Sequence, residues 1–424
     1  MRKTSPIRTV AASFSNDSLS RYFVIHKKSL LVIALFVVAV SQVHASTTWY
    51  IATNGNDSSG CTQSAPCLSL NAAYLKAKVG DSVTIASGTY ADQTVNADST
   101  KTAGAGMVTF QPASGASVTL GKVNFNGSVD VTLQNVTISE WDVQMNSYYI
   151  TLNNVTVNGG VFILGGSNLT MMGGSVGPGV NFHPQIAPVN GWNGQGQNIT
   201  FDGVYFHDWT STNLTLYHME CLQVVGTTNL TIRNSKFHHC DVFDLSFTTY
   251  NNGGQVTTPT LENNWFDTAT NGGYFAINFQ AMQGGLVRFN SSSQAWVMQS
   301  SVSGAVGTIT GPVTFDGNIV DGGILDGDVY GCNPSNYASY NYNVTNGWKC
   351  GSTDANALTG FTNEAGFDFH LANGATALDF VPLSIPYPTT DIDGHSRPDG
   401  NSNDAGASQA VLVNPPTGLT AVVQ

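Results

Sequence analysis

The densest run of chemistry-bearing residues in this 424-residue chain is His218-Met219-Glu220-Cys221-Leu222-Gln223. A little further on come His238, His239, Asp241 and Asp244, with Arg233 and Lys236 on the segment between. A histidine, two carboxylates and an amide brought together could take and return a proton, or offer Ca²⁺ an oxygen-rich cage. His218, Glu220 and Asp244 are the acid/base candidates, Glu220 and Asp244 the metal candidates, and Gln223 a substrate-orienting one. His183 and His207 are weaker histidines of the same kind. The structural alternative is that polar residues stack into ladders, with Glu220 capping a strand or pairing with Arg233. Glu220 and Gln223 also differ in parity, so a regular strand cannot turn both outward.

For Glu220 and Asp244 to meet, two segments well separated in sequence must lie side by side, and a repeat supplies the means. The pattern apolar-Thr-apolar-x-(Asn/Gly)-x-x-apolar appears as VTLQNVTI from Val131, ITLNNVTV from Ile150, LTMMGGSV from Leu169 and ITFDGVYF from Ile199. It returns as LTIRNSKF from Leu230, PTLENNWF from Pro259 and VTFDGNIV from Val313. Successive starts are 19, 19, 30, 31, 29 and 54 residues apart; the last gap holds two coils, with a degenerate copy near Leu286–Asn290.

Alternating apolar and polar residues bury one face of a strand, and Asn or Gly in fifth place can adopt the left-handed backbone that turns a corner. A second short strand follows each copy, as in DVQM from Asp142, VFIL from Val161, ECLQVV from Glu220, VFDLSF from Val242 and FAINF from Phe275. Two strands with their bends then make one turn of a solenoid, each coil bonded to the next. The fold class expected is all-β, a right-handed parallel β-helix with a short N-terminal cap helix around Leu68–Ala77. Propeller blades would need a period of roughly 40 to 50 residues.

The N-terminus reads as an export signal: Arg21, Lys27 and Lys28, an apolar run from Leu30 to Val40, then the small-x-small site Val43-His44-Ala45. The run is far short of the roughly 20 residues a membrane span needs. Removing residues 1–45 takes six basic residues and one acidic residue, leaving 9 Lys+Arg against 26 Asp+Glu, a net charge of −17 by subtraction. Such a surface repels nucleic acid and anionic lipid. In an exported chain the cysteine pairs Cys61/Cys67 and Cys332/Cys350 read as loop staples. Cys221 and Cys240 fit either a bridge or two stacked thiols.

The whole pattern resembles the secreted bacterial right-handed β-helix proteins, the superfamily that includes pectate-lyase-like enzymes. The opening from Trp49 to Tyr90 resembles their entry cap, with its Gly80-Asp81 strand ending in Gly88-Thr89-Tyr90. Phe367-Asp368-Phe369-His370-Leu371, Thr390-Asp391-Ile392-Asp393-Gly394 and Arg397-Pro398 resemble the tail that closes many such helices. Asn414–Gln424 resembles the linker and first strand of a fibronectin type III module. The expected organisation is a signal at 1–45, cap and first coils at 46–106, coils at 107–350, a closing segment at 351–413, and a linker or truncated module at 414–424.

The resemblance implies a secreted, monomeric, carbohydrate-active protein whose partner is a polysaccharide, with no nucleic acid and no membrane span. His-x-Glu-Cys-x-Gln loosely matches the His-x-Asp-Gly-Ile-Gln runs of some β-helix lyases and epimerases, differing in its third and fourth residues. Coils between Leu169 and Pro259 carry extra length, and loops on a rigid scaffold are where sites concentrate. Trp192, Trp209, Tyr217 and Tyr250 there could stack on sugar faces, and Arg233 and Lys236 could meet an acidic substrate. The expected reaction is lyase- or epimerase-like, His218 taking a sugar proton while Glu220 and Asp244 hold Ca²⁺ against a uronate. Two alternatives stand beside it: a non-catalytic binding or adhesive stalk, and a glycoside hydrolase using Glu220 and Asp244 as paired carboxylates. The pectin-hydrolase runs Asn-Thr-Asp, Asp-Asp and Gly-His-Gly are absent.

Overall fold

The computed structural model describes residues 46–181, 184–186, 196–248, 254–267, 275–298, 309–326, 338–398 and 400–410. The export segment, His183, Trp192, Tyr250, Cys332 and the 414–424 tail lie outside them. No helix among the described residues is long and apolar enough to cross a membrane.

The repeat folds as its alternation requires, into a parallel β-helix whose strands form one 32-stranded sheet. Each full coil carries three strands, however, where the sequence suggested two. The eight-residue repeat is itself two strands with a corner inside it: Val129–Gln134 then Thr137–Val143, or Thr227–Arg233 then Lys236–Cys240. Stacking the coils gives three ladders. Ladder A runs through Val129–Gln134, Gly196–Asp202, Thr227–Arg233 and Thr310–Asp316. Ladder B includes Tyr205–Thr210, Lys236–Cys240 and Trp265–Asp267. Ladder C includes Val161–Ile163, Gln185–Ile186, Glu220–Val224, Phe243–Phe247 and Ile277–Phe279.

The corner from A to B is two residues long, and its first residue is the fifth of the repeat. Asn135, Asn154, Gly173, Gly203, Asn234, Asn263 and Gly317 all have φ between 51° and 70°. The degenerate copy turns the same way at Phe289, φ 52°. Asn and Gly occupy this place because other residues tolerate left-handed backbone poorly. From Ser235 onward the second corner residue is a buried polar one, making an internal chain from Asn264 through Asn290, Asn318 and Asn343 to Asp354.

Inside, matching apolar positions stack coil on coil, as in Phe206, Phe237 and Phe266 with ring centroids 4.6 and 4.9 Å apart. A cap helix, Leu70–Lys76, begins the stack with Ser69 as its N-cap, the Ser69 hydroxyl accepting from the Ala72 amide. Its Leu70, Ala72, Ala73 and Tyr74 are buried.

The outer faces differ in what they carry. Ladder A presents a column of threonines, Thr109, Thr132, Thr151, Thr170, Thr200, Thr231 and Thr260, in register. Ladder B is covered in part by the C-terminal segment: Phe367 stacks on His238 at 4.3 Å, and the Gly406 amide donates to the Gly317 carbonyl. A long described connection, residues 211–219, enters ladder C before Glu220. Ladder C thus has a described loop at its entry.

Candidate functional site: the outer face of ladder C

Along ladder C the residues at one register position are Asn124, Asp142, Phe162, Gln185, Gln223, Ser246 and Asn278. Their neighbours on either side, such as Leu222 and Val224 or Leu245 and Phe247, are fully buried in the core. Strand parity therefore turns this column outward. Six of the seven positions carry an amide, carboxyl or hydroxyl. Gln185 Nε2 donates to Gln223 Oε1, and Asn278 Nδ2 donates to Ser246 Oγ at 3.2 Å.

Exposure divides the column. Gln223, Ser246 and Asn278 are only 5%, 2% and 5% exposed, whereas Asn124, Asp142, Phe162 and Gln185 are half-buried and reachable from solvent. The open stretch is the N-terminal half.

The parity question resolves in favour of Gln223. Gln223 shares the outward face with Cys221 and, one coil on, with Asp244, while Glu220 has the parity of core residues Leu222 and Val224. Glu220 and Asp244 are both enclosed, at 1% and 0% exposure. His218 lies at the margin with a 61% exposed side chain, its Nδ1 3.4 Å from Glu220 Oε1. The structure thus brings His218 to Glu220, but the two carboxylates expected to hold an ion do not open to solvent.

Cys221 and Cys240 are disulfide-bonded, Cα atoms 5.4 Å apart, which closes the choice the sequence left open. Their sulfurs lie near enough to Asp244 for a metal cluster, but sulfurs bonded to each other offer no thiolate. Cys61 is bridged to Cys67 as expected. Cys350 is also disulfide-bonded.

Three expected substrate contacts fall elsewhere. Trp209 is fully buried, packed against Gly179 so closely that a Cβ there would meet its ring at 2.0 Å. It seals the helix wall and offers no platform to a sugar. Arg233 lies on ladder A, paired with Asp202 at 2.8 Å, so it does not reach Glu220. Lys236 lies on ladder B, its ammonium 3.9 Å from the Trp265 ring centroid. Tyr217, beside His218, is 43% exposed and available.

Chemistry that sequence reasoning missed sits at the open end of the column. Glu140 and Asp142 leave the same face of one strand, pinned by the fully buried Trp141 between them. Lys122, one coil earlier and in register with Glu140, bonds to Glu140 and lies 3.3 Å from Asp142. Burial, then the adjacent Glu140 charge, pushes the Asp142 carboxyl up to about 6, against the pull of Lys122. Bonding to Glu140 raises Lys122 above its ordinary value. A Glu-x-Asp spacing on a strand was the available signal; it passed unnoticed because Lys122 is distant in sequence.

No protein-family model matches the chain, and no curated protein matches it. Among solved structures it is similar to a pectate lyase, Pel9A, at 14% identity and TM-score 0.38, covering 86% of this chain and 97% of that one. It is similar also to XylC, solved in complex with xylose, at 9% identity and TM-score 0.48, covering 86% and 98%. A rhamnogalacturonan lyase gives 13% identity and TM-score 0.40, covering 85% and 96%. Likeness at this level transfers no residue roles to the chain.

Proposed function

We propose that this chain is an exported, carbohydrate-active protein that holds an extended polysaccharide along ladder C and acts on it as a lyase or epimerase. The observation that carries the reading is the open half of the outward column, Asn124, Asp142, Phe162 and Gln185, polar at every position but Phe162. Coils repeat at about 4.8 Å, close to the advance of one sugar unit along an extended glycan. A rigid column of amides and carboxyls at that repeat offers each sugar a hydrogen-bonding partner.

Disulfides such as Cys61–Cys67 and Cys221–Cys240 persist in oxidising compartments, which supports export. In the lyase or epimerase reading, exposed His218 is a base and Glu220 orients its ring. Ca²⁺ at Glu220 and Asp244 would require those enclosed carboxylates to open. The second reading, a binding or adhesive protein without turnover, is favoured by that same enclosure.

One experiment separates them. The purified chain is incubated with uronate-containing and neutral polysaccharides, with Ca²⁺ or chelator, reading binding, unsaturated product by ultraviolet absorbance, and reducing ends. Unsaturated product supports a lyase; binding without cleavage is followed by NMR of the recovered polymer, where inverted uronate residues support an epimerase and an unchanged polymer supports the second reading; no binding by any polymer sinks the proposal.

A further inference from the structure

We propose that Lys122, Glu140 and Asp142 form the proton-transfer centre of this face, an inference that rests on the polysaccharide reading above. Glu140 and Asp142 project side by side from one strand, with side chains 22% and 13% exposed, and Lys122 contacts both from the preceding coil. Oδ1 of Asp142 and Oδ1 of its register neighbour Asn124 are both enclosed, and neither has a hydrogen-bond partner among the described residues. An ionised carboxylate oxygen left so is costly, and a proton on the carboxyl relieves it. In mild acid Asp142 therefore carries a proton beside Glu140 on the same face, and Lys122 offsets the charge that remains.

The shared face decides the chemistry. A glycoside hydrolase needs its two carboxyls about 5 to 9.5 Å apart, on opposite sides of the scissile bond. Two carboxyls that leave the same face of one strand and meet one ammonium lie on one side of any sugar bound there and do not straddle its glycosidic bond. They can serve a reaction whose proton steps both occur on one side of the sugar, which is syn elimination from a uronate. The ionised carboxylate takes the proton beside the substrate carboxyl, and that electron pair becomes the new carbon–carbon double bond. The bond to the glycosidic oxygen breaks, and the departing oxygen takes the proton that the other carboxyl held. The pair ends with one proton, as it began, and neither water nor an oxidant enters. The Lys122 ammonium, 41% exposed, is placed to offset the substrate carboxylate as its acidity rises. No ion is needed for that, which distinguishes this centre from the enclosed Glu220 and Asp244.

The test uses the full mature chain and two readouts. Carboxyl-carbon NMR titration should find a group with its midpoint near 6 that vanishes in Asp142→Asn and falls in Glu140→Gln. Against the uronate polymer that the wild type binds, Asp142→Asn should lose at least about 100-fold in kcat, with binding kept. Gln134→Ala, on the outer surface of ladder A, should turn over within about threefold of wild type. Lys122→Met should raise KM for the uronate polymer and leave binding of neutral glycans unchanged. Asp142→Asn with wild-type turnover, or no carboxyl titrating above the ordinary range, would overturn the inference and leave the groove standing. Failure of the wild type to bind any polysaccharide overturns both, and binding without turnover overturns this inference alone.

Discussion

Asn290 and Asn318 are both fully buried, and Nδ2 of Asn290 donates to Oδ1 of Asn318 at 3.0 Å. The same Nδ2 also faces the carbonyls of Leu261 and Arg288, and the Asn318 Oδ1 accepts from the Asn290 backbone amide. One side chain thus satisfies backbone groups of its own coil and its neighbours. Asn290→Ala leaves several of these buried without partners, for an expected loss of about 3 kcal/mol. Gln134→Ala, which removes a single side-chain bond to Gln111 on the outer surface, should cost less than about 0.5 kcal/mol. Urea unfolding of the two variants checks the contrast; equal losses would remove the internal ladder's special place.

The corner residues make a separate prediction, because their main demand is on the backbone; the side chain of Asn154 adds one exposed bond, its Nδ2 donating to Asn135 Oδ1 at 2.9 Å. Asn154 turns at φ 51°. Asn154→Gly should leave the thermal midpoint nearly unchanged, while Asn154→Val should destabilise by about 1–2 kcal/mol through left-handed strain. A Val variant as stable as Gly would show that the corner can adopt another backbone conformation.

These two ladders also mark how far the sequence could be read. Asn135, Asn154 and Gly203 announced the corner because a left-handed residue leaves a compositional trace, and alternation about them gave the strand faces. The three-strand coil was hidden because that corner falls inside what reads as one eight-residue unit. Asn264, Asn290 and Asn318 were hidden for another reason: an asparagine pointing inward is indistinguishable in sequence from one pointing out. At the site, the run from His218 to Gln223 was legible as a cluster, but the enclosure of Glu220 and Asp244 depends on packing across coils. Lys122 meets Glu140 through register alone, which no local pattern records.

The Cys221–Cys240 bridge ties one coil to the next across 19 residues of sequence. A loop of that size confines the unfolded chain by about 3 kcal/mol. The double variant Cys221→Ala/Cys240→Ala should therefore unfold at lower denaturant by roughly that amount, with the far-ultraviolet spectrum unchanged. Wild-type stability in the double variant would mean that the bridge adds nothing beyond the packing around it.

The closing segment should hold ladder B more tightly in mild acid than above neutrality. His370 lies between Asp368 and Asp393; burial opposes its charge, but the two carboxylates hold it above its ordinary value of 6.5. Glu364 is pushed above its ordinary 4.5 by burial and then by Asp321. Both groups bind protons more strongly in the folded state. Their contribution is therefore full below those ordinary values and is lost as pH rises through the raised ones. Burial opposes the charge of Asp368, but the His370 ring and the His370 backbone amide, which donates to its Oδ1, hold it below its ordinary 3.8, so it acts in the opposite sense only in stronger acid. Hydrogen-exchange protection at Phe369 and Leu371, corrected for intrinsic rates, should be greater at pH 5.5 than at pH 8, and His370→Asn should flatten the upper part of that change.

Asp142 gives the site's own signature in stability, independent of any substrate. Its folded value of about 6 lies above the ordinary 3.8, so the folded chain holds a proton that the unfolded chain has released between those limits. Stability from this group is present in acid and lost as pH rises through about 6. Asn at 142 keeps the shape and cannot ionise, so the variant escapes that loss. The difference in melting temperature, Asp142→Asn minus wild type, should grow more positive from pH 4 to 6 and level off above. Lys122→Met should steepen the wild-type decline, because the ammonium is what offsets the ionised pair. A difference that stays constant across this range means that Asp142 ionises as an ordinary carboxylate, and that Glu140 and Lys122 form only a surface ion pair with it.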